Sequence, residues 1–132
     1  MDRLFLDPNV LFSAAYRTHA GIGRLWELKD VELVTSTYAA EEAAVILADE
    51  EQRERLRRLL GSVEVVVGHT PLPSGVELPE KDRPILQAAL HANTTHLLTG
   101  DKQHFGRYYG EKLGGVLVLS PAQYLEHRRR SL

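Results

Sequence analysis

The segment LFLDPNVLFSA, residues 4–14, places an acidic residue between an apolar stretch and a run with helical spacing. Leu4 to Leu6 have the short, apolar character of a buried strand, and Asp7 is the first residue beyond its carboxyl end. Pro8 suits the first position of a helix because its ring already fixes φ near the helical value. The segment therefore predicts a strand followed by a helix over Asn9 to Tyr16, with an acid at the junction.

A second segment, HLLTGDKQHF at residues 96–105, has the same design. Leu97 and Leu98 end an apolar strand, and Asp101 follows in the turn that leaves it. In an open parallel sheet, functional groups collect in the crevice outside the carboxyl ends of the strands. We therefore expect Asp7 and Asp101 to lie at the same edge of the sheet. A folded chain rarely gathers acids in one place unless a cation neutralises them, so this edge is a candidate metal site.

Apolar runs typical of strands alternate with helical spacing along the rest of the chain. Further strands are predicted at 32–35, 63–67 and 116–119, and a glycine-rich turn is predicted at 110–115. Further helices are predicted at 21–29, 51–60 and 81–91, and two more are predicted to begin at Ser36 or Thr37 and at Pro121. This alternation predicts an α/β fold with three layers, α/β/α, and a mainly parallel sheet of four or five strands. Because no low-complexity linker interrupts the pattern, we expect one domain over residues 1–132.

Composition excludes several kinds of site. The chain of 132 residues is long enough to bury a sizeable core, and its lack of cysteine excludes disulfides, a thiolate nucleophile and zinc–thiolate centres. No apolar run approaches the roughly 18 residues that cross a bilayer, and the chain opens directly into a strand, so we expect a soluble, cytoplasmic protein. The formal net charge is −2, so binding of nucleic acid would need local basic patches and bound cations.

Two further acids complete a pattern along the chain. Glu42 lies in STYAAEE, residues 36–42, and Asp82 lies in EKDRPILQAA, residues 80–89. Together with the two strand-end segments, these motifs resemble the PIN-domain nucleases, a family that includes many prokaryotic toxin ribonucleases and RNA-processing nucleases. The resemblance covers nearly the whole chain in the family's order. Carried over motif by motif, it implies that the ligands of Mg²⁺ or Mn²⁺ are Asp7, Glu42, Asp82 and Asp101.

The resemblance also implies an activity and partners. Similar enzymes hydrolyse phosphodiester bonds, usually of single-stranded RNA, and leave 5′-phosphate and 3′-hydroxyl ends. Carboxylate oxygens suit a hard cation, which can polarise the phosphate, activate a water and stabilise the leaving oxygen. A toxin of this kind pairs with an antitoxin protein, bound over the acidic cleft or the neighbouring helices, and forms a homodimer. The side chains expected to form an exposed apolar patch for the dimer are Tyr16, Trp26, Tyr108 and Tyr109.

Four residues near the acids are predicted to support them or to contact substrate, namely Asn9, Thr99, Lys102 and His104. We expect Asn9 to tie the loop after the first strand to neighbouring backbone. The six histidines show no metal-ligand spacing such as His-x-x-x-His. His104 is therefore predicted to lie in a loop and to contact phosphate rather than a metal.

At two positions the match between this chain and the family's motifs is incomplete or ambiguous. Pro8 stands where similar proteins commonly have Thr or Ser, which removes a hydroxyl and a backbone donor. Glu41 and Glu42 are adjacent, and we favour Glu42 as the ligand because of its offset from Ser36. Glu42 also precedes Ile46 by one helical turn, on the side that we expect to face inward.

Each acid also has a purely structural interpretation. Asp7 or Asp82 could cap a helix, Glu42 could be a solvated helix residue, and Asp101 could be a turn residue beside glycine. A receiver-like domain would need a phosphoacceptor aspartate after a central strand, and a haloacid-type phosphatase would need an acid where Asn9 stands. A catalytically inactive PIN-like module that acts in protein or RNA assembly is the third alternative. The four intact acids argue against it.

Overall fold

A computed structural model describes residues 1–130, so the last two residues of the predicted domain lie outside the described part. The strands are β1 (Asp2–Leu6), β2 (Val31–Ser36), β3 (Glu64–Val66), β4 (His96–Leu98), β5 (Lys112–Leu113) and β6 (Val116–Leu119). They form one six-stranded sheet in the order β3-β2-β1-β4-β6-β5. All neighbours are parallel except β5 and β6. The predicted, mainly parallel α/β fold is confirmed.

Helices cover both faces of this sheet. The α-helices are α1 (Pro8–Tyr16), α2 (Thr37–Ile46), α3 (Glu50–Leu60), α4 (Arg83–His91), α5 (Lys102–Phe105) and α6 (Pro121–Arg130). Leu4, Phe5 and Leu6 of β1 are all fully buried. Because neighbouring strand residues point to opposite faces, their burial requires cover on both sides and hence three layers. Over residues 1–130, no helix combines the length and apolar character needed to cross a bilayer.

Capping side chains start two helices at the edge of the sheet. Asp7 caps α1 by accepting a hydrogen bond from the backbone N–H of Asn9, and Pro8 follows in the first turn. Ser36 caps α2, its hydroxyl accepting a hydrogen bond from the N–H of Ala39. In both places the chain passes from a parallel strand to a helix without a loop, because the capping residue satisfies an N–H group that the helix leaves unpaired.

The glycine-rich turn predicted at 110–115 contains an additional strand. Gly114 and Gly115 have φ values of +59° and +91°. Two consecutive positive φ values form a tight hairpin turn that favours glycine. This turn folds β5 back on β6, with Leu113 paired to Val116. The sheet therefore has six strands rather than the predicted four or five.

Three further predictions are corrected by the structure. The helix predicted at 21–29 is a 3₁₀ helix over Gly21–Glu27. The predicted buried strand at 63–67 is a short edge strand, and Val67 just beyond it is 74% exposed because an edge strand has a neighbour on one side only. Ile46, which was expected to face inward, is 60% exposed at the end of α2.

The predicted aromatic patch is wrong for three of its four members. Tyr16 is 54% exposed, whereas Tyr108 is buried and Trp26 and Tyr109 are partly buried. The indole N–H of Trp26 donates to a backbone carbonyl of α3 at 3.0 Å. The hydroxyl groups of Tyr108 and Tyr109 also bond to backbone. These polar tips let the rings pack against the core while their hydrogen bonds stay satisfied.

Candidate metal centre

The first and last of the predicted acids lie at one edge of the sheet. β1 and β4 are parallel neighbours, with Leu6 paired to Leu98. Just beyond this pair, the backbone N–H of Asp7 donates to the carbonyl of Leu98 at 3.2 Å. Asp101 follows β4 closely, and its charge acts on Asp7. The two carboxylates therefore share the crevice outside the carboxyl ends of β1 and β4.

Asp7 is a buried acid, with only 5% of its surface exposed. Its carboxylate accepts a hydrogen bond from the backbone N–H of Asn9 at 3.1 Å, and the nearby Thr99 side chain also favours its charged form. Burial raises the pKa of Asp7 to about 6; these interactions oppose the rise, and the charges of Asp82 and Asp101 add to it. Capping α1 needs only a hydrogen-bond acceptor, which a neutral side chain would supply. A buried negative charge at this place is better explained by a neighbouring cation.

Asp82, Asp101 and His104 form a compact cluster within this crevice. Nδ1 of His104 lies 2.8 Å from Oδ2 of Asp101 and 2.9 Å from Oδ2 of Asp82. One donor atom from each of the three residues lies within 4.8 Å of the others. His104 belongs to α5 rather than to a loop, so its predicted location is corrected. The sequence signal for this pairing is the three-residue spacing of Asp101 and His104, which one helical turn brings together.

Asp101 is oriented by the start of α5. Its Oδ1 accepts a hydrogen bond from the backbone N–H of His104 at 3.2 Å, which makes it the cap of this helix. Its Oδ2 is thereby left to face the cluster. The structural and functional interpretations of Asp101 are therefore compatible, because the two oxygens serve different purposes.

Asp82 precedes α4 but does not cap it through its side chain. The residue is 8% exposed, and within the described residues its Oδ2 is buried without a hydrogen bond. Nδ1 of His104 is close to this oxygen but does not meet it along a hydrogen-bonding direction. Burial raises the pKa of Asp82, with His104 opposing this rise and Asp101 and Glu42 adding to it. An unsatisfied buried oxygen carries a free-energy penalty, which a bound cation would remove.

Glu42 adjoins the cluster from α2. It is partly buried, whereas its neighbour Glu41 is exposed. Its charge acts on Asp82, and burial together with Glu42 raises the pKa of Tyr38. The Tyr38 hydroxyl donates to the carbonyl of Lys81 at 2.8 Å, which ties α2 to the turn that carries Asp82. Of the two adjacent glutamates, Glu42 is therefore the one that lies near Asp82 and Tyr38.

Neighbouring side chains hold the two strand-end loops together. Oδ1 of Asn9 accepts a hydrogen bond from the N–H of Gly100 at 3.1 Å, so Asn9 ties the loops as expected. Oγ1 of Thr99 accepts one from the N–H of Asp101 at 3.1 Å. The hydroxyl of Tyr109 donates to the carbonyl of Thr99 at 2.7 Å. Tyr109 was not identified as part of this support from the sequence, because no local pattern connects it to the loop.

The donor set of this crevice fits a divalent cation. Burial is the main cause of the raised pKa values of Asp7 and Asp82, and the charges of the neighbouring carboxylates add to the rise. A divalent ion reverses that effect, and carboxylate oxygens are ligands that Mg²⁺ and Mn²⁺ accept readily. The chemistry of the residues present therefore agrees with the metal implied by the sequence resemblance.

Comparison with known proteins supports the fold. No family model and no curated protein matches the chain. A chain in the crystal structure of VapBC2 from Rickettsia felis bound to a DNA fragment from their promoter is similar, with a TM-score of 0.65 and 16% identity over 89% of this chain and 98% of that chain. A chain in the structure of FitAB bound to an IR36 DNA fragment has a TM-score of 0.52 and 18% identity, over 89% and 94% respectively. At such identities the likeness concerns the fold, and it confirms a PIN-like α/β architecture.

Proposed function

We propose that this chain is a Mg²⁺- or Mn²⁺-dependent nuclease that hydrolyses phosphodiester bonds of single-stranded RNA. The observation that carries the proposal is the cluster of Asp82, Asp101 and His104 at the crevice of a PIN-like sheet. Asp7 lies outside this cluster but near enough for the charges of Asp82 and Asp101 to act on it. Glu42 adjoins Asp82 from α2. The absence of cysteine from the sequence removes a thiolate as a competing nucleophile. These features favour catalysis by metal-bound water over covalent catalysis.

The ion or ions would be held by four acids placed around the crevice, Asp7, Glu42, Asp82 and Asp101. A bound divalent ion supplies polarisation of the phosphate, a water of lowered pKa and stabilisation of the leaving oxygen. Asp7 and Asp101 are already oriented by the helices that they cap, so little reorganisation is required when substrate arrives. Burial of Asp82 reduces screening by water and strengthens its attraction for a cation.

A groove of about 980 Å³ adjoins the crevice and offers a path for a single strand. It meets the candidate centre at Asn9, Gly100 and Lys102. Its apolar lining includes Val10, Ile22, Leu28 and Leu125. Its charged lining has four basic side chains, Arg24, Lys102, Arg128 and Arg129, and two acidic ones, Glu27 and Glu126. Arg128 and Arg129 form ion pairs with Asp30 and Glu126, respectively. Grooves that bind single-stranded nucleic acid combine positive charge for the backbone with nonpolar surface for the bases. With a net charge of −2, the chain needs this kind of local positive charge.

We further propose that the chain is the cytoplasmic toxin of a toxin–antitoxin pair. Both structural neighbours, VapBC2 and FitAB, are complexes of this kind. Exposed apolar side chains on two adjoining helices support a protein partner or a homodimer, and they are Tyr16 on α1 and Val45 and Ile46 on α2. Sedimentation velocity at micromolar concentration should give the mass of a dimer. A monomer throughout this range would contradict the homodimer.

Sequencing the ends left in a mixed RNA pool tests the nuclease directly. With Mn²⁺ or Mg²⁺ present, the purified chain should produce new 5′-phosphate and 3′-hydroxyl ends, because hydrolysis at an ion held by these acids would add water to phosphorus and release the 3′ oxygen as a hydroxyl. The matched control is Asp7→Asn, which keeps the shape and the cap of the side chain while removing its charge. Ends that appear equally in EDTA, or equally with Asp7→Asn, would contradict the mechanism. Absence of cleavage in every metal would favour the inactive assembly module.

A further inference from the structure

The His104 side chain contacts two acids of the candidate centre, Asp101 and Asp82, and only the contact with Asp101 has a signal in the local sequence. Its Nδ1 atom lies between two of the proposed ligand oxygens, 2.8 Å from Oδ2 of Asp101 and 2.9 Å from Oδ2 of Asp82. The same turn fixes both His104 and Asp101, because the N–H of His104 donates to Oδ1 of Asp101. This bond positions the backbone of His104, and the contacts of Nδ1 with the two carboxylates hold the imidazole at the cluster.

The spacing of these three atoms suits a shared ion. When ligands bind a small divalent cation at about 2.1 Å in octahedral geometry, adjacent donor atoms lie about 3 Å apart. The two distances from Nδ1 of His104 to the carboxylate oxygens are close to this value. Nδ1 of His104 therefore already has the spacing of an adjacent ligand to each of the two carboxylate oxygens.

A further observation concerns Oδ2 of Asp82, the oxygen that lies 2.9 Å from Nδ1 of His104. This oxygen is buried, and within residues 1–130 no hydrogen bond satisfies it. Asp82 is more than nine-tenths buried, so water has little access to this oxygen. Buried carboxylate oxygens are normally paired, since leaving one unpaired carries a desolvation penalty. A cation placed between Asp82, Asp101 and His104 would satisfy it.

We propose that His104 is a metal ligand through Nδ1, and that the resulting mixed nitrogen and oxygen centre selects Mn²⁺ over Mg²⁺. The inference rests on the proposed metal centre but does not require RNA to be the substrate. Mg²⁺ strongly prefers oxygen ligands and retains its waters, whereas first-row transition ions accept imidazole nitrogen more readily. A ring nitrogen among the carboxylates therefore changes the preference of the site between two ions of the same charge.

Nitrogen ligation of Mn²⁺ can be measured without any substrate. Pulsed EPR of the Mn²⁺-loaded full chain, prepared with ¹⁴N- and ¹⁵N-histidine, should show a hyperfine coupling that changes with the isotope. The coupling should disappear in His104→Gln. It should persist in His91→Gln, because His91 is an exposed residue at the end of α4 opposite to Asp82. Bound Mn²⁺ without histidine coupling, or a coupling that survives His104→Gln, would overturn the assignment.

Calorimetric titration with Mn²⁺ and with Mg²⁺ gives a second measure. His104→Asp replaces the nitrogen with carboxylate oxygen, so the ratio of Mn²⁺ to Mg²⁺ affinity should fall about tenfold or more. The ratio should be unchanged in His91→Gln. An unchanged ratio in His104→Asp would overturn the selectivity.

The possible outcomes separate this inference from the proposed function. If RNA is not cleaved but the histidine coupling is present, the nuclease proposal fails and the ligand assignment stands. If Mn²⁺-dependent cleavage occurs without the coupling, the assignment fails and the nuclease stands. If no Mn²⁺ binds to the wild-type chain, both are contradicted.

Discussion

Replacing Asp101 with asparagine is expected to lower the rate of RNA cleavage about a hundredfold or more, because a metal ion contributes several kcal/mol to stabilising the transition state. The substitution keeps the oxygen that caps α5, so the helix should remain in place. It removes the charge of the Oδ2 atom that faces Asp82 and His104. The measurement is the initial rate of cleavage of a labelled single-stranded RNA at saturating Mn²⁺, with circular dichroism to verify folding.

The adjacent glutamates on α2 supply the matched controls for this measurement. Glu42→Gln should also lower the rate, because Glu42 acts electrostatically on Asp82. Glu41→Gln makes the same chemical change one position away on an exposed side chain, and the rate should stay near that of the wild type. Full activity in a folded Asp101→Asn variant would contradict the metal mechanism. A larger effect at Glu41 than at Glu42 would contradict only the choice between these neighbours.

Asp7→Asn is expected to stabilise the metal-free protein at pH 7 by about 1–3 kcal/mol, since a rise in the pKa of Asp7 from 3.8 to about 6 corresponds to about 3 kcal/mol. The raised pKa means that the folded state binds a proton at pH values where the unfolded state has lost it. The stability of the wild type should therefore fall as the pH rises from about 4 to about 6, and then stay level with respect to this group. Asparagine resembles the protonated form of aspartate, so the stability of Asp7→Asn should not show this fall between pH 4 and pH 6.

Denaturant unfolding at pH 4 and pH 7 tests this prediction. The wild type and Asp7→Asn should have similar free energies of unfolding at pH 4, and Asp7→Asn should have the larger one at pH 7. Asp49→Asn is the matched control, because Asp49 also caps a helix, α3, but is exposed. With Mn²⁺ added at pH 7, the wild type should gain stability by mass action and Asp7→Asn should gain less. A variant that is less stable than the wild type at pH 7 without metal would contradict the proposed charge penalty.

Sequence patterns predicted the parts of the fold that depend on local order. The passage from Leu6 through Asp7 to α1 needs only a buried strand, an acceptor and a proline in sequence, and all three are visible in the chain. The antiparallel strand β5 was missed because the glycines were interpreted as a turn alone. Gly114 and Gly115 in fact carry the hairpin signal, two residues with positive φ between apolar neighbours.

The candidate site depends on contacts that no local pattern contains. His104 meets Asp82 only after α4 and α5 have packed on the sheet, so its place at the cluster could not be predicted from histidine spacing. Exposure was likewise misjudged for Tyr108, whose hydroxyl hydrogen-bonds to the distant Glu77 backbone. Ile46 was expected to be buried from its position on the helix, but it lies where α2 ends and has less protein above it.

The pairing of β1 with β4 also governs when during translation the centre can exist. The hydrogen bond between Asn9 and Gly100 joins positions 91 apart in the sequence. A nascent chain that has emerged only as far as α4 already contains Asp7, but it has neither β4 nor Asp101. Such a chain cannot assemble the crevice, so the candidate metal centre cannot form until β4 has emerged and paired with β1.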